Sequence, residues 1–214
     1  MTETPKKGFL DRIMSEADDS AHPFLEKIQE NIKLIGIIAA AAIIIFSVYS
    51  LNSFWQERKI SQANSKLESI LSQEDPESRL SMLEEYLTEA PDRVKGAILL
   101  ETARTSMNME DYSRAADSFN QLSDLDSDMR PIAVLGSAKA YELKGNNQQA
   151  VDTLKNESLP DEFKVQYLTL LSFNAEKAGD NALALDAYEK LLQEAQGADV
   201  GFIEYKIELL SQNS

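Results

Sequence analysis

The chain has 214 residues, with 36 Asp and Glu against 21 Lys and Arg, a formal net charge of −15, one histidine and no cysteine. Nucleic-acid binding depends on clustered Lys and Arg that displace counterions from phosphates, and the absence of such a cluster argues against that class. Without cysteine there is no disulfide framework, no zinc-finger spacing and no thiol to carry a lipid anchor.

Residues 1–33 read as a short tail with seven acidic and five basic side chains, too long and too acidic for the positively charged start of a secretory signal. The one histidine, His22, lies there between Ala21 and Pro23 and reads as a solvated residue ahead of a helix. Residues 34–55, LIGIIAAAAIIIFSVYSLNSFW, carry no charge at all. A helix of that length reaches roughly 33 Å, slightly more than the hydrocarbon core of a bilayer. Lys33 precedes the run, and Glu57, Arg58 and Lys59 follow it. Tyr49, Phe54 and Trp55 sit near one end, where amphipathic rings favour the headgroup interface. A core helix of this length would keep a polar face, and Val48-Tyr49-Ser50 is a poor cleavage site, so the expectation is an uncleaved transmembrane helix. Lys27 and Lys33 on one flank nearly balance Arg58, Lys59 and Lys66 on the other, which leaves its direction open. Gly36 and Ala39 to Ala42 permit close packing against another membrane helix.

Residues 56–214 change period. A helix is expected from about Gln56, with Ala63, Leu67, Ile70 and Leu71 at helical spacing, and a second after the Asp75-Pro76 break, with Leu80, Leu83, Tyr86 and Leu87. No later segment alternates apolar and polar residues, so strands are not expected. Gly145-Asn146-Asn147 and Gly179-Asp180-Asn181 stand between helical stretches, where glycine adopts the left-handed conformation that ends a helix. Ala115, Ala150 and Ala184 recur at intervals of 35 and 34, and Phe119, Leu154 and Tyr188 follow each by four. A small residue lets two antiparallel helices approach, and the large one beside it fills the gap. The units fall at about 60–92, 96–129, 131–160 and 165–198, and residues 199–212 read as a capping helix with Phe202, Ile203, Tyr205, Ile207, Leu209 and Leu210 on one broad face.

With its period of 34 residues this pattern resembles the tetratricopeptide repeat family. The resemblance rests on Ala103 and Ala138 at the small first-helix position, Tyr141 at the aromatic one, the two turn glycines and the three second-helix alanines. It departs at Ser172 in the small slot, Glu110 in place of a turn glycine and Ser127 in place of a closing proline. The earliest unit is degenerate, keeping Pro91 but holding Arg79 where alanine belongs. Behind the single N-terminal transmembrane helix expected from the uncharged run, the resemblance implies an all-α solenoid of antiparallel helix pairs, with first helices lining a concave groove. The family's inward positions then select a partner-binding groove of Leu100, Arg104, Asn108, Leu135, Lys139, Glu142, Phe173 and Lys177, with Met107, Leu143, Thr169 and Glu176 beside them. Arg104, Lys139 and Lys177 would suit an extended peptide with acidic groups or a C-terminal carboxylate.

An anchor followed directly by a short repeat array is similar to the YfgM-like ancillary subunits of the SecYEG translocon. That similarity implies a single-pass protein of the bacterial inner membrane with a cytoplasmic tail. Its periplasmic repeat domain would meet the translocon, periplasmic chaperones or translocating chains. The alternative is a structural envelope protein that self-associates through its repeats. Catalysis is not expected: a Ser-His-Asp set lacks its histidine in the folded domain, and Glu84-Glu85 and Asp124, Asp126 and Asp128 read as solvated faces. The DLDSD run lacks the glycine and the twelfth-position glutamate of a calcium loop. No cofactor and no metal ligand is expected.

Overall fold

A computed structural model describes residues 32–194 and 200–212, so the tail at 1–31, with His22, lies outside the described residues. Every element among the described residues is helical. The chain divides into two compact units, Met1–Arg58 and Lys59–Ser214.

The first helix, α1, runs over Ile32–Leu71. No turn separates the apolar run from the helix expected to begin at about Gln56, because nothing from Leu51 to Leu71 is a proline or a glycine that would break it. Within the first unit Ile43, Ile44, Ile45, Phe46, Tyr49, Phe54 and Trp55 are exposed. The Ser47 hydroxyl donates to the Ile43 carbonyl at 2.7 Å. The side chains of residues 34–40, 42, 48 and 51–53, part of the expected anchor, lie outside the described ones. Among the described residues no helix is long and apolar enough to cross a membrane.

In the second unit the end of α1 packs with α2 (Pro76–Glu89) and α3 (Asp92–Asn108). Ala63, Leu67 and Ile70 meet Leu83, Tyr86, Val94 and Ile98, and the Tyr86 hydroxyl donates to the Ala63 carbonyl at 3.0 Å. Helix α2 starts where Pro76 fixes its first turn and the Asp75 carboxylate accepts the Ser78 N–H at 2.9 Å. Then come α4 (Tyr112–Leu125), α5 (Arg130–Leu143), α6 (Asn147–Leu154), α7 (Lys164–Ala178), α8 (Asn181–Glu194) and α9 (Gly201–Ser211). Each of these packs on its predecessor, and α5 also meets α7, so the first helices of successive pairs are neighbours.

The turns within the three pairs are built alike. A residue in the left-handed region, Glu110 at φ 62°, Gly145 at 81° and Gly179 at 85°, ends each first helix. The next residue donates its N–H back across five positions, Asp111 to Ser106, Asn146 to Tyr141 and Asp180 to Ala175, at 2.8–2.9 Å. Its side chain then caps the second helix by accepting the N–H of Arg114, Gln149 or Leu183 at 3.1–3.3 Å. Glu110 therefore adopts the conformation of the glycine it replaces.

Behind these turns Ala115, Ala150 and Ala184 are fully buried, as are Leu154 and Tyr188, with Phe119 nearly so. The Phe119 ring lies against α5 so closely that a Cβ at Gly136 would stand 2.6 Å from it. The Asp126 carboxylate accepts the N–H groups of Asp128 and Met129 at 2.9 and 3.2 Å, so in DLDSD it orders the turn into α5. Among the described residues no three acidic or histidine side chains are grouped to hold a metal.

The capping helix differs from the single broad face expected of it. Helical periodicity divides its apolar positions into two stripes. Ile203, Ile207 and Leu210 pack on the core, while Phe202 and Tyr205 are 62% and 58% exposed.

Candidate protein-binding cleft

Four helices of the second unit enclose a cleft of about 390 Å³. Helix α5 supplies Lys139 and Glu142, one turn apart and so on one face, and α7 supplies Thr169, Leu170, Ser172 and Phe173. Tyr188 and Leu191 come from α8, Phe202 and Ile203 from α9. The walls are mainly apolar.

Two carboxylates hold the surrounding helices. The Glu142 Oε1 accepts from Lys139 Nζ at 2.5 Å, and its Oε2 accepts from Asn174 Nδ2 at 3.0 Å. Asn174 is fully buried; its amide also donates to the Leu170 carbonyl at 2.8 Å, while its Oδ1 has no partner among the described residues. Glu176 accepts from the Tyr188 hydroxyl at 3.0 Å and from Lys206 Nζ at 2.6 Å, which ties α7, α8 and α9 together. Burial pushes the Tyr188 phenol above its usual value, and the hydrogen bond to Glu176 and that group's negative charge add to the shift. Both aromatic walls carry a cation: Lys177 Nζ lies 5.7 Å from the Phe173 ring centre and Lys206 Nζ 5.6 Å from that of Phe202. The arrangement suits binding, since it offers apolar contact with charged groups at its rim.

Of the residues selected from sequence, Lys139, Glu142 and Phe173 line this cleft and Lys177 stands beside it. Leu135 is half-buried against the core. Leu100, Arg104 and Asn108 lie on α3, outside the lining. Leu100 packs partly into its own cluster, and Arg104 and Asn108 are exposed, with the Arg104 guanidinium 3.0 Å from Glu101. Sequence reasoning did not assign Leu170, Ser172, Tyr188, Leu191, Phe202 or Ile203 to a site. Phe202 was detectable, because it falls out of step with the inward spacing of Ile203, Ile207 and Leu210. A second cleft, about 480 Å³ between α2, α3 and α4 and lined by Leu87, Lys95, Leu99 and Leu125 among others, holds none of the selected residues.

The family described as tetratricopeptide repeat-like domain matches residues 26–212. Among solved structures, MamA 41-end from Desulfovibrio magneticus RS-1 aligns with a TM-score of 0.54 at 15% identity, over 72% of this chain and 90% of that one. The Sgt2 TPR domain from Aspergillus fumigatus aligns with a TM-score of 0.46 at 21% identity, over 56% of this chain and 78% of its own. No protein of curated function matches the chain. At 15% identity the likeness to MamA is one of fold.

Proposed function

Because this chain belongs to the tetratricopeptide repeat-like family, we propose that it is a membrane-anchored protein-binding scaffold of the bacterial inner membrane, an adaptor or chaperone-like ancillary subunit of the Sec translocon whose repeats face the periplasm. The observation that carries the binding role is the cleft among α5, α7, α8 and α9, with apolar walls and a charged rim. The anchor is supported by the uncharged run at 34–55 and by the row of exposed large apolar side chains from Ile43 to Trp55, which a bilayer would cover. The Ser47 hydroxyl already spends its proton on the Ile43 carbonyl, as a hydroxyl in lipid must. The link to the translocon rests on the architecture of anchor plus short repeat array.

One preparation tests both parts. An alkaline phosphatase fused after Ser214 is expected to be active, since that enzyme works only outside the cytoplasm, and the same membranes in mild detergent are expected to yield SecYEG with the chain. An inactive fusion reverses the orientation. Failure to recover any translocon component removes the Sec assignment.

A further inference from the structure

We propose that the cleft takes an internal segment of a partner polypeptide, with one large apolar side chain inserted between Phe173 and Phe202 and an acidic side chain beside it on Lys177. The proposal rests on the protein-binding reading above and names what that site recognises. Phe173 and Phe202 are 38% and 62% exposed while Leu170, Leu191 and Ile203 line the space between them, so the two rings are apolar walls without a filling. A volume of about 390 Å³ accommodates an apolar side chain with part of its own backbone.

The charges select among peptides. Three lysines stand at this rim in a chain of net charge −15, so positive charge is gathered here on an otherwise acidic chain. Lys139 is held by Glu142 and Lys206 by Glu176. Lys177 has no carboxylate partner among the described residues; its contact is the Phe173 ring. A ring under an ammonium leaves the cation's outer side free to meet a carboxylate. A chain terminus is ordinarily captured by several converging donors, whereas a single unpaired ammonium matches one side-chain carboxylate, so the segment is internal.

The test uses the full chain in nanodiscs and fluorescein-labelled eight-residue peptides, acetylated and amidated at their ends. One has a Phe-Leu centre flanked by aspartates, one the same centre flanked by lysines, and one a Ser-Ser centre flanked by aspartates. The first is expected to bind about tenfold more tightly than either companion, and Phe202→Ala to weaken it about tenfold. Lys177→Glu is expected to abolish the preference for aspartate over lysine flanks. Both replaced side chains are exposed, so unchanged thermal melts accompany these effects. Equal binding of the acidic and basic peptides overturns the proposal, as does an unaltered affinity in Phe202→Ala. A concentration-dependent dimer that Phe202→Ala disperses overturns it too, by giving the cleft to a second copy of the chain. Recovery of SecYEG from the same material separates the two claims: recovery without peptide selectivity sinks only this inference, and selectivity without recovery sinks only the translocon assignment.

Discussion

Helices α3 and α4 on one side and α5 to α9 on the other share one turn geometry yet fill the space between helices differently. In the rear part a single core cluster runs from Val134 through Ala150, Leu154, Leu168, Leu171, Ala184, Tyr188 and Leu191 to Leu210 on the last helix. In the front part buried apolar side chains gather in smaller groups, one around Leu99, Ala103, Phe119 and Leu122, another where Ala115 and Ala116 meet Ala140 of α5. A solenoid couples its units only through neighbours, so a continuous core makes several helices respond together while separate groups confine a disturbance. The cleft stands on the continuous part. The two parts meet where Phe119 lies on Gly136 and where Asn120 accepts from Ser137 and donates to the Tyr141 hydroxyl, at 2.7 and 3.1 Å.

The largest expected effect sets the two cores against each other. Leu154 and Leu122 are both fully buried, and truncation of either to alanine is expected to cost about 2–5 kcal/mol by urea denaturation. Their reach should differ. Leu154→Ala is expected to speed hydrogen exchange across α5 to α9, whereas Leu122→Ala is expected to leave α8 and α9 at their original rates. If both changes loosen α9 alike, the distinction between a continuous and a divided core is wrong.

The junction gives a smaller effect. A methyl group at position 136 would stand 2.6 Å from the Phe119 ring, and rings cannot be compressed, so Phe119 or α5 must shift. Gly136→Ala is therefore expected to destabilise by about 1–3 kcal/mol. Combining it with Phe119→Leu should recover part of that loss, because the smaller side chain vacates the collision. Equal stability of Gly136→Ala and the parent would show that the junction is looser than the core on either side.

What could be read from sequence follows the same division between repeated and unrepeated contacts. The helix pairs were legible because Ala115, Ala150 and Ala184 recur in register and each is followed by the large residue that fills its gap. The contact of Phe119 with Gly136 was not, since it joins consecutive units through one glycine that has no counterpart in the repeat pattern. The cleft was half legible. Lys139, Glu142 and Phe173 come from first helices, whose inward positions the repeat pattern fixes. Tyr188 and Phe202 come from a second helix and from the last helix, where a core-filling aromatic and a cap residue also form walls of the cleft, and one-dimensional spacing does not separate the two roles. Arg104 was placed on the same line as Lys139, but the lining draws on α5 and the helices after it and leaves α3 outside.

The smallest effect separates the turns. Glu110 holds the left-handed conformation that Gly145 and Gly179 hold without a side chain. A residue with a Cβ pays about 1–2 kcal/mol there, and glycine offsets part of that difference through its greater freedom in the unfolded chain. Glu110→Gly is accordingly expected to stabilise the protein by about 0.5–1 kcal/mol. Gly145→Ala should do the opposite by a similar amount, and a Cβ there meets nothing within 4 Å, so that loss would come from the backbone alone. Thermal melts of the two variants and their double combination decide the matter. Additive and opposite shifts would establish that front and rear share one turn and differ in what occupies it. A destabilised Glu110→Gly would mean that the Glu110 side chain makes a compensating interaction, and the front turn would then be a different device with the same backbone.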